Sequence, residues 1–148
     1  METSGSAHDI PPVSRARRDL DTIAPDGSEI RLLVGPEHGV TRASVCEVTL
    51  PPGQASRPVW HRQVEEIWYV LDGHGDVWRC PPEVQGPQTV DPVAVKPGDA
   101  LAIPPRWRFQ FRASRDAPLR ILCFTSPPWP GPDEAQPAEN GGPWLPTV

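Results

Sequence analysis

From residue 28 onward, the chain alternates between short runs of β-branched and aromatic residues and turns rich in glycine and proline. Apolar runs of about four to eight residues between such turns are typical of β-strands. Turns such as PPGQ at 51 to 54 and KPGD at 96 to 99 combine a proline that presets φ with a glycine that tolerates positive φ. The pattern predicts eight strands: Glu29 to Val34, Ser44 to Leu50, Glu66 to Leu71, Asp76 to Cys80, Thr89 to Val95, Ala100 to Ile103, Arg108 to Ala113 and Leu119 to Thr125.

The segments between these runs show no helical periodicity, and 22 prolines in 148 residues work against helices. We therefore expect an all-β fold, an antiparallel sandwich or barrel, formed by residues 28–126 as one domain. Residues 1–27 are polar and interrupted by proline, so they are expected to form a flexible or draped arm. Residues 127–148 form a tail rich in proline and tryptophan, and its PPWPGP part should pack back onto the domain because Trp129 is costly to expose.

Charge and hydropathy exclude several classes of partner. The net charge of -5 lacks the basic footprint of a nucleic-acid binder, and no apolar run approaches the ~18 residues of a membrane span. The N-terminus has no apolar secretory segment, so the expected compartment is the cytoplasm. Cys46, Cys80 and Cys123 are widely separated within apolar runs and are expected to be reduced, buried thiols.

The candidate chemistry lies in WHRQVEEIWYV, residues 60 to 70. Side chains alternate along a strand, so Glu66 shares one face with Trp68 and Val70. A carboxylate on an apolar face must be paired, bound to a cation or neutral. His61 precedes Glu66 across a short turn, and the two side chains can converge on one ion or substrate atom, although two ligands make a poor metal cage. The alternative is that His61 simply hydrogen-bonds Glu66.

Residues 53 to 73 resemble the first conserved motif of the cupin superfamily, G-x5-H-x-H-x4-E-x6-G. Gly53, His61, Glu66 and Gly73 are in register with that motif, and Val59 stands where its first histidine belongs. The spacing of these four residues is specific even though one ligand position is changed.

Residues 98 to 113 resemble the second cupin motif, G-x5-P-x-G-x2-H-x3-N. Gly98 and Pro104 are in register, whereas Arg106 replaces the glycine, Phe109 the metal-binding histidine and Ala113 the asparagine. The motif is therefore more degenerate than the first.

The resemblance implies a small jelly-roll barrel of antiparallel strands, in a family that commonly binds a divalent transition metal at the barrel centre. Only His61 and Glu66 match the ligand positions, so a further ligand would have to be Gln110, displaced by a bulge, or Cys123. The family also contains epimerases and isomerases that work without metal, and proteins that only bind or store. Its members usually pair through edge strands, so we expect a homodimer.

Four of the six tryptophans lie in or beside the two motifs, which suits a cavity walled partly by indoles for a ring-shaped ligand. Ordinary core packing is the alternative interpretation. Arg106 at the cavity mouth is a candidate to hold an anionic group. The residues assigned to substrate binding are Trp60, Trp68, Trp78, Trp107, Phe109, Phe111 and Arg106.

We expect a small-molecule enzyme, an isomerase, epimerase, cyclase or lyase, that uses His61 and Glu66 for acid/base catalysis without a tightly bound metal. Burial should raise the pKa of Glu66, and the pKa of His61 should lie near neutrality. Two alternatives stay open. One is a metal-dependent oxygenase or lyase that uses His61, Glu66 and an unrecognised ligand. The other is a ligand-binding module without catalysis.

Overall fold

The computed structural model describes residues 10–15, 17–86 and 89–148. Over these ranges the chain forms strands joined by turns, with short 3-10 turns at Pro36–His38 and Pro132–Glu134. None of its helical segments is long and apolar enough to cross a membrane. The strands are β1 Thr22–Ile23, β2 Glu29–Val34, β3 Ser44–Leu50, β4 Val59–His61, β5 Glu65–Asp72, β6 Gly75–Cys80, β7 Val93–Val95, β8 Ala100–Ile103, β9 Arg108–Ala113, β10 Leu119–Ser126 and β11 Ala135–Pro137.

The strands form two antiparallel sheets that enclose one core as a jelly roll. The first sheet has the order β1-β2-β3-β10-β5-β8, and the second has the order β11-β4-β9-β6-β7. Neighbours in the sheets are mostly distant in sequence, as in β3 with β10 and β4 with β9. The predicted all-β, jelly-roll fold class is confirmed.

Most predicted strands are found at or within one residue of their expected bounds. The prediction of a strand from Thr89 is wrong, because the Thr89 amide donates to the Gly86 carbonyl in a turn and Pro92 has no amide to offer a sheet. Only Val93–Val95 pair as β7. The prediction missed β1, β4 and β11, which have two or three residues each and so cannot display alternation.

The core lies between the sheets, where one face of each long strand is buried. In β5, Glu66, Trp68 and Val70 are buried and the residues between them are exposed, as alternation predicts. The Trp68 ring meets the rings of Phe109 and Phe111 edge to face, with centroids 5.7 Å and 4.9 Å apart. The three cysteines are free thiols, as predicted, and Cys80 and Cys123 are buried, but the expectation that Cys46 is buried is wrong because it is only half-buried.

Arg106 adopts a backbone conformation suited to glycine. It has φ 72°, in the left-handed region, and stands where the second cupin motif has its glycine. Its amide donates to the His61 carbonyl at 2.8 Å, so the turn between β8 and β9 is tied to the end of β4. The side chain of Arg106 is exposed. The structure therefore gives Arg106 a backbone role at this turn.

Candidate active site

His61 and Glu66 meet inside the jelly roll at one end of the core. His61 is the last residue of β4, Glu66 is the second residue of β5, and a short turn joins the two strands. Both residues are buried, with 5% and 7% of their surface exposed. His61 Nδ1 lies 3.8 Å from Glu66 Oε2, which is too long for a hydrogen bond. The alternative in which His61 only hydrogen-bonds Glu66 therefore does not describe this geometry.

The Glu66 carboxyl is enclosed by apolar groups and receives little compensation for its charge. Burial raises its pKa to about 7, and a hydrogen bond from Trp68 Nε1 to Oε1 at 2.9 Å opposes that rise. Cys123 also lies beside the carboxyl, and this contact likewise opposes the rise of the Glu66 pKa. At neutral pH the side chain is therefore divided between its acid and its carboxylate forms.

The His61 ring is held between two aromatic rings. Its centroid lies 5.2 Å from that of Phe109 and 5.0 Å from that of Trp129, both in edge contacts. Burial lowers its pKa to about 4, and the nearby Glu134 carboxylate opposes that fall. His61 is therefore a neutral imidazole at physiological pH. The expectation of a His61 pKa near neutrality is wrong, because the aromatic enclosure penalises the cation.

His61 Nδ1 has no hydrogen-bond partner in the described part of the chain, although it is fully enclosed. Buried polar atoms are normally paired, so an unpaired ring nitrogen needs an explanation. Since Nδ1 faces the Glu66 carboxyl, the two groups present one continuous polar spot inside an apolar interior.

Residues 127–138, here called the cover segment, lie over this pair. Trp129 contacts the His61 ring, and β11 pairs with β4 through Ala135 and His61. The buried Glu134 holds the turn between His61 and Glu66, because its Oε2 accepts hydrogen bonds from the amides of Gln63 at 2.6 Å and Val64 at 2.7 Å. The predicted packing of the PPWPGP part is confirmed by the contact of Trp129 with His61. The sequence pattern did not predict the role of Glu134, because that role depends on contacts between distant parts of the chain.

The predicted substrate-binding residues do not all surround one cavity. Trp68, Phe109 and Phe111 lie in the interior, close to His61 and Glu66. Trp60 and Trp78 lie on the opposite face of the second sheet, since the register aligns them with Arg108 and Gln110 and places Val59 and Val77 inward. Trp107 is half-buried and lines a separate cavity of about 360 Å³. The expected cavity walled by four indoles is therefore corrected to one interior indole, Trp68.

The donor set does not fit the metal centre that the cupin motifs imply. No three His, Cys, Asp or Glu side chains among residues 10–15, 17–86 and 89–148 are grouped to hold an ion. Phe109 packs its ring against His61 where the family places a histidine. Gln110 faces away and donates to the Ser56 and Trp144 carbonyls. Of the two extra ligands considered, only Cys123 lies beside Glu66.

Two cavities of the described part of the chain lie away from the pair. One of about 760 Å³ is lined by turns at the far end of the jelly roll, and the smaller one lies beside Trp107. Neither is lined by His61 or Glu66. The side chains of the core and the cover segment leave only 5% of His61 and 7% of Glu66 exposed.

Comparison with known proteins agrees with this fold. Residues 46–125 match the model of the cupin domain. An uncharacterised protein of Methanocaldococcus jannaschii is 32% identical over 120 residues, which cover 76% of this chain and 87% of that protein. The polyketide cyclase RemF from Streptomyces resistomycificus has a similar structure, with a TM-score of 0.65, 21% identity, and coverage of 87% of this chain and 89% of that one.

A second structure of similar fold is the ectoine synthase from P. lautus, with a TM-score of 0.60 and 22% identity. The match covers 88% of this chain and 83% of that one. At such identities the structural likeness establishes the fold alone, whereas the domain match spans more than half of the 148 residues. The two-sheet jelly roll, the register of its motifs and the domain match together establish that the chain belongs to the cupin family.

Proposed function

We propose that this cupin is a small-molecule enzyme of the isomerase, epimerase, cyclase or lyase type, and that its chemistry is proton transfer. The observation that carries the proposal is the pair of buried, titratable side chains His61 and Glu66, whose facing atoms are 3.8 Å apart and whose Nδ1 has no partner among the described residues. Groups with strongly perturbed pKa values inside an enclosed site are candidates for catalysis.

The geometry suits a substrate oxygen or nitrogen that contacts both groups at once. His61 Nδ1 and Glu66 Oε2 are only 3.8 Å apart. One substrate atom can therefore lie roughly 2.8 Å from each of them, at hydrogen-bond distance from both. Glu66 is the principal acid and base in this scheme, because a pKa of about 7 supplies both of its forms at neutral pH. His61 stays neutral and binds or orients the reacting group.

The surroundings favour a small, largely apolar substrate with few polar groups. Trp68, Phe109 and Phe111 provide flat faces near the pair. A polyketide cyclase is among the proteins of similar structure, which supports cyclisation as one of the candidate reactions. Entry of a substrate requires the cover segment to move, since it encloses the pair.

Isotope exchange tests the proposal without knowledge of the product. A panel of small keto acids, hydroxy acids and cyclisable amides is screened by thermal shift, and each binder is incubated with the full-length protein in D2O. We expect deuterium incorporation or conversion with the wild type and with Glu65→Gln, whose carboxylate is exposed on the other face of β5. In Glu66→Gln, deuterium incorporation and conversion should both be lost, while ligand binding is kept.

The outcomes separate the alternatives. Turnover that persists in both Glu66→Gln and His61→Ala would remove the acid/base proposal. Binding without exchange or conversion for every ligand would favour a ligand-binding module without catalysis.

The unpaired Nδ1 of His61 and the position of Cys123 beside Glu66 favour the metal-dependent alternative. Elemental analysis of protein purified without an affinity tag decides between the two. We expect a substoichiometric metal content, because only two donor side chains face each other and transition-metal sites generally have three or more. A stoichiometric metal would overturn the proposed mechanism.

A further inference from the structure

A separate cavity lies at the opposite end of the jelly roll from His61 and Glu66. A cavity of about 760 Å³ is lined there by the turns that follow β3, β5, β7 and β9. Glu66 stands near the start of β5, whereas the turn that lines the cavity follows its last residue, Asp72. At about 3.3 Å per residue, the cavity lies roughly 20 Å from the proposed active site.

The charges around this cavity leave an excess of positive charge. Arg112 Nε donates to Asp76 Oδ2 at 3.0 Å, and Lys96 Nζ lies 3.5 Å from Asp99 Oδ1, so both carboxylates that line the cavity are matched. Arg115 has no ion-pair partner in the part of the chain that the structure describes. A cavity with unmatched positive charge is notable in a chain whose net charge is -5.

Ser114 supplies an unpaired hydroxyl beside these cations. Its amide donates to the His74 carbonyl at 2.9 Å, and its carbonyl accepts from the Gly53 amide at 2.8 Å. Its Oγ, however, is enclosed and has no hydrogen-bond partner among the described residues. A buried hydroxyl without a partner lowers the stability of the folded state, and a ligand oxygen that reaches it after a small shift of the turn would supply what is missing.

We propose that this cavity binds the oxyanion group, phosphate or carboxylate, of a small metabolite. Arg115 offers a planar set of N–H donors that matches such a group, Ser114 Oγ offers a further hydrogen bond, and His74 lies at the same rim. Lys96 and Arg112 are matched by Asp99 and Asp76, so the excess positive charge of the cavity is that of Arg115. The volume falls in the range of metabolite sites, about 300–1,000 Å³, and exceeds the size of a bare anion.

The proposal is tested by titrating the ¹⁵N-labelled full-length protein with inorganic phosphate and, separately, with acetate at constant ionic strength. We expect saturable amide shifts confined to the turns that carry His74, Lys96 and Ser114. Arg115→Gln should weaken the binding on the order of tenfold. Arg42→Gln, which removes an exposed arginine outside the cavity, should leave it unchanged. The anion that binds more tightly identifies which oxyanion the site takes.

Ser114→Ala tests the role of the hydroxyl by two measurements, the melting temperature of the free protein and the affinity for phosphate. Removal of the unpaired hydroxyl should raise the melting temperature of the free protein and weaken phosphate binding at the same time. Shifts spread over the whole chain, or equal affinity in Arg115→Gln and wild type, would overturn the proposal. A Ser114→Ala protein that is less stable and binds phosphate as well as wild type would also contradict it.

Discussion

Two adjacent carboxylates of β5 experience opposite environments because consecutive side chains of a strand point to opposite faces. Glu65 is exposed, whereas Glu66 lies inside beside Trp68 and has its pKa raised by burial to about 7. His61 is enclosed in the same interior, which lowers its pKa to about 4. Burial thus drives both groups toward their neutral forms, so the pair is not an ion pair at neutral pH.

This arrangement predicts opposing contributions to the pH dependence of stability. The folded state keeps the proton on Glu66 up to about pH 7, whereas the unfolded chain loses it near pH 4.5, so this group lowers the free energy of unfolding as pH rises between these values. The folded state keeps His61 neutral down to about pH 4, whereas the unfolded chain protonates it near pH 6.5. His61 therefore lowers the free energy of unfolding as pH falls through that range.

Single substitutions should separate the two contributions, which nearly cancel in the wild type between pH 4.5 and 6.5. With His61→Gln, the free energy of unfolding should fall by on the order of 3 kcal/mol as pH rises through the Glu66 window. With Glu66→Gln, it should rise by a similar amount as pH rises through the His61 window. Urea unfolding at several pH values measures both, with Glu65→Gln as the control. Parallel profiles in all four proteins would contradict this account of the pair.

The backbone conformation of Arg106 lowers the stability of the folded state. Its φ of 72° is unfavourable for a side chain with a Cβ, by about 1–2 kcal/mol. Arg106→Gly should therefore raise the free energy of unfolding by roughly 1 kcal/mol, as measured by chemical denaturation. Arg62→Gly, at an exposed turn residue without positive φ, is the matched control and should lower it. A loss of stability in Arg106→Gly would mean that the side chain has a stabilising contact.

At the scale of elements, the site depends on the contact between β4 and the cover segment. β4 has three residues and pairs on one side with β9. On its other side it pairs with β11, which belongs to the cover segment. Glu134 fixes the turn after β4 by accepting two backbone hydrogen bonds. Hydrogen bonds to a charged acceptor are worth more than neutral ones, so this carboxylate contributes strongly to the contact of the cover segment with that turn.

Glu134→Gln should loosen this contact. We expect the Gln63 and Val64 amides to exchange with solvent deuterium on the order of tenfold faster, because a neutral amide oxygen accepts them more weakly. Asp133→Asn is the control, since Asp133 is exposed and is seen to contribute only its backbone carbonyl, to Gln136. Equal exchange in Glu134→Gln and wild type would show that other contacts hold the cover segment.

The longer strands, and the inward position of Glu66, follow from alternation and could be predicted from the sequence. Alternation alone does not reveal which face of a strand is the inner one when both are apolar. Trp78 illustrates this limit: it lies on the outer face of the second sheet, beside Gln110, and is still fully buried. Gln110 exchanges hydrogen bonds with the backbone of Trp144, so the C-terminal residues cover that face. Such coverage depends on distant parts of the chain.

For the whole molecule, the two sheets differ in how their outer faces are covered. The C-terminal residues cover the second sheet, whereas the first sheet exposes apolar side chains on neighbouring strands β5 and β10. Ile67, Tyr69 and Phe124 are 53%, 43% and 39% exposed. Contiguous exposed apolar side chains mark interaction surfaces. We propose that a second copy of the chain covers this face, consistent with the homodimer expected from the sequence.

Sedimentation velocity tests this assembly. Ile67→Glu should convert a dimer to a monomer, because a buried unpaired carboxylate would oppose association. Val93→Glu is the matched control, since Val93 is 44% exposed but lies on β7 of the second sheet. A monomeric wild-type protein, or a dimer that survives Ile67→Glu, would contradict the proposed interface.

The interior of the jelly roll holds Glu66 as an acid with a pKa near neutrality, beside the neutral imidazole of His61. Carbon-detected NMR of the labelled side-chain carboxyl, followed from pH 3 to pH 9, measures this directly. We predict a Glu66 midpoint at about pH 7, with the His61 ring neutral down to about pH 4. A Glu66 midpoint near the 4.5 of an ordinary glutamate would contradict the account.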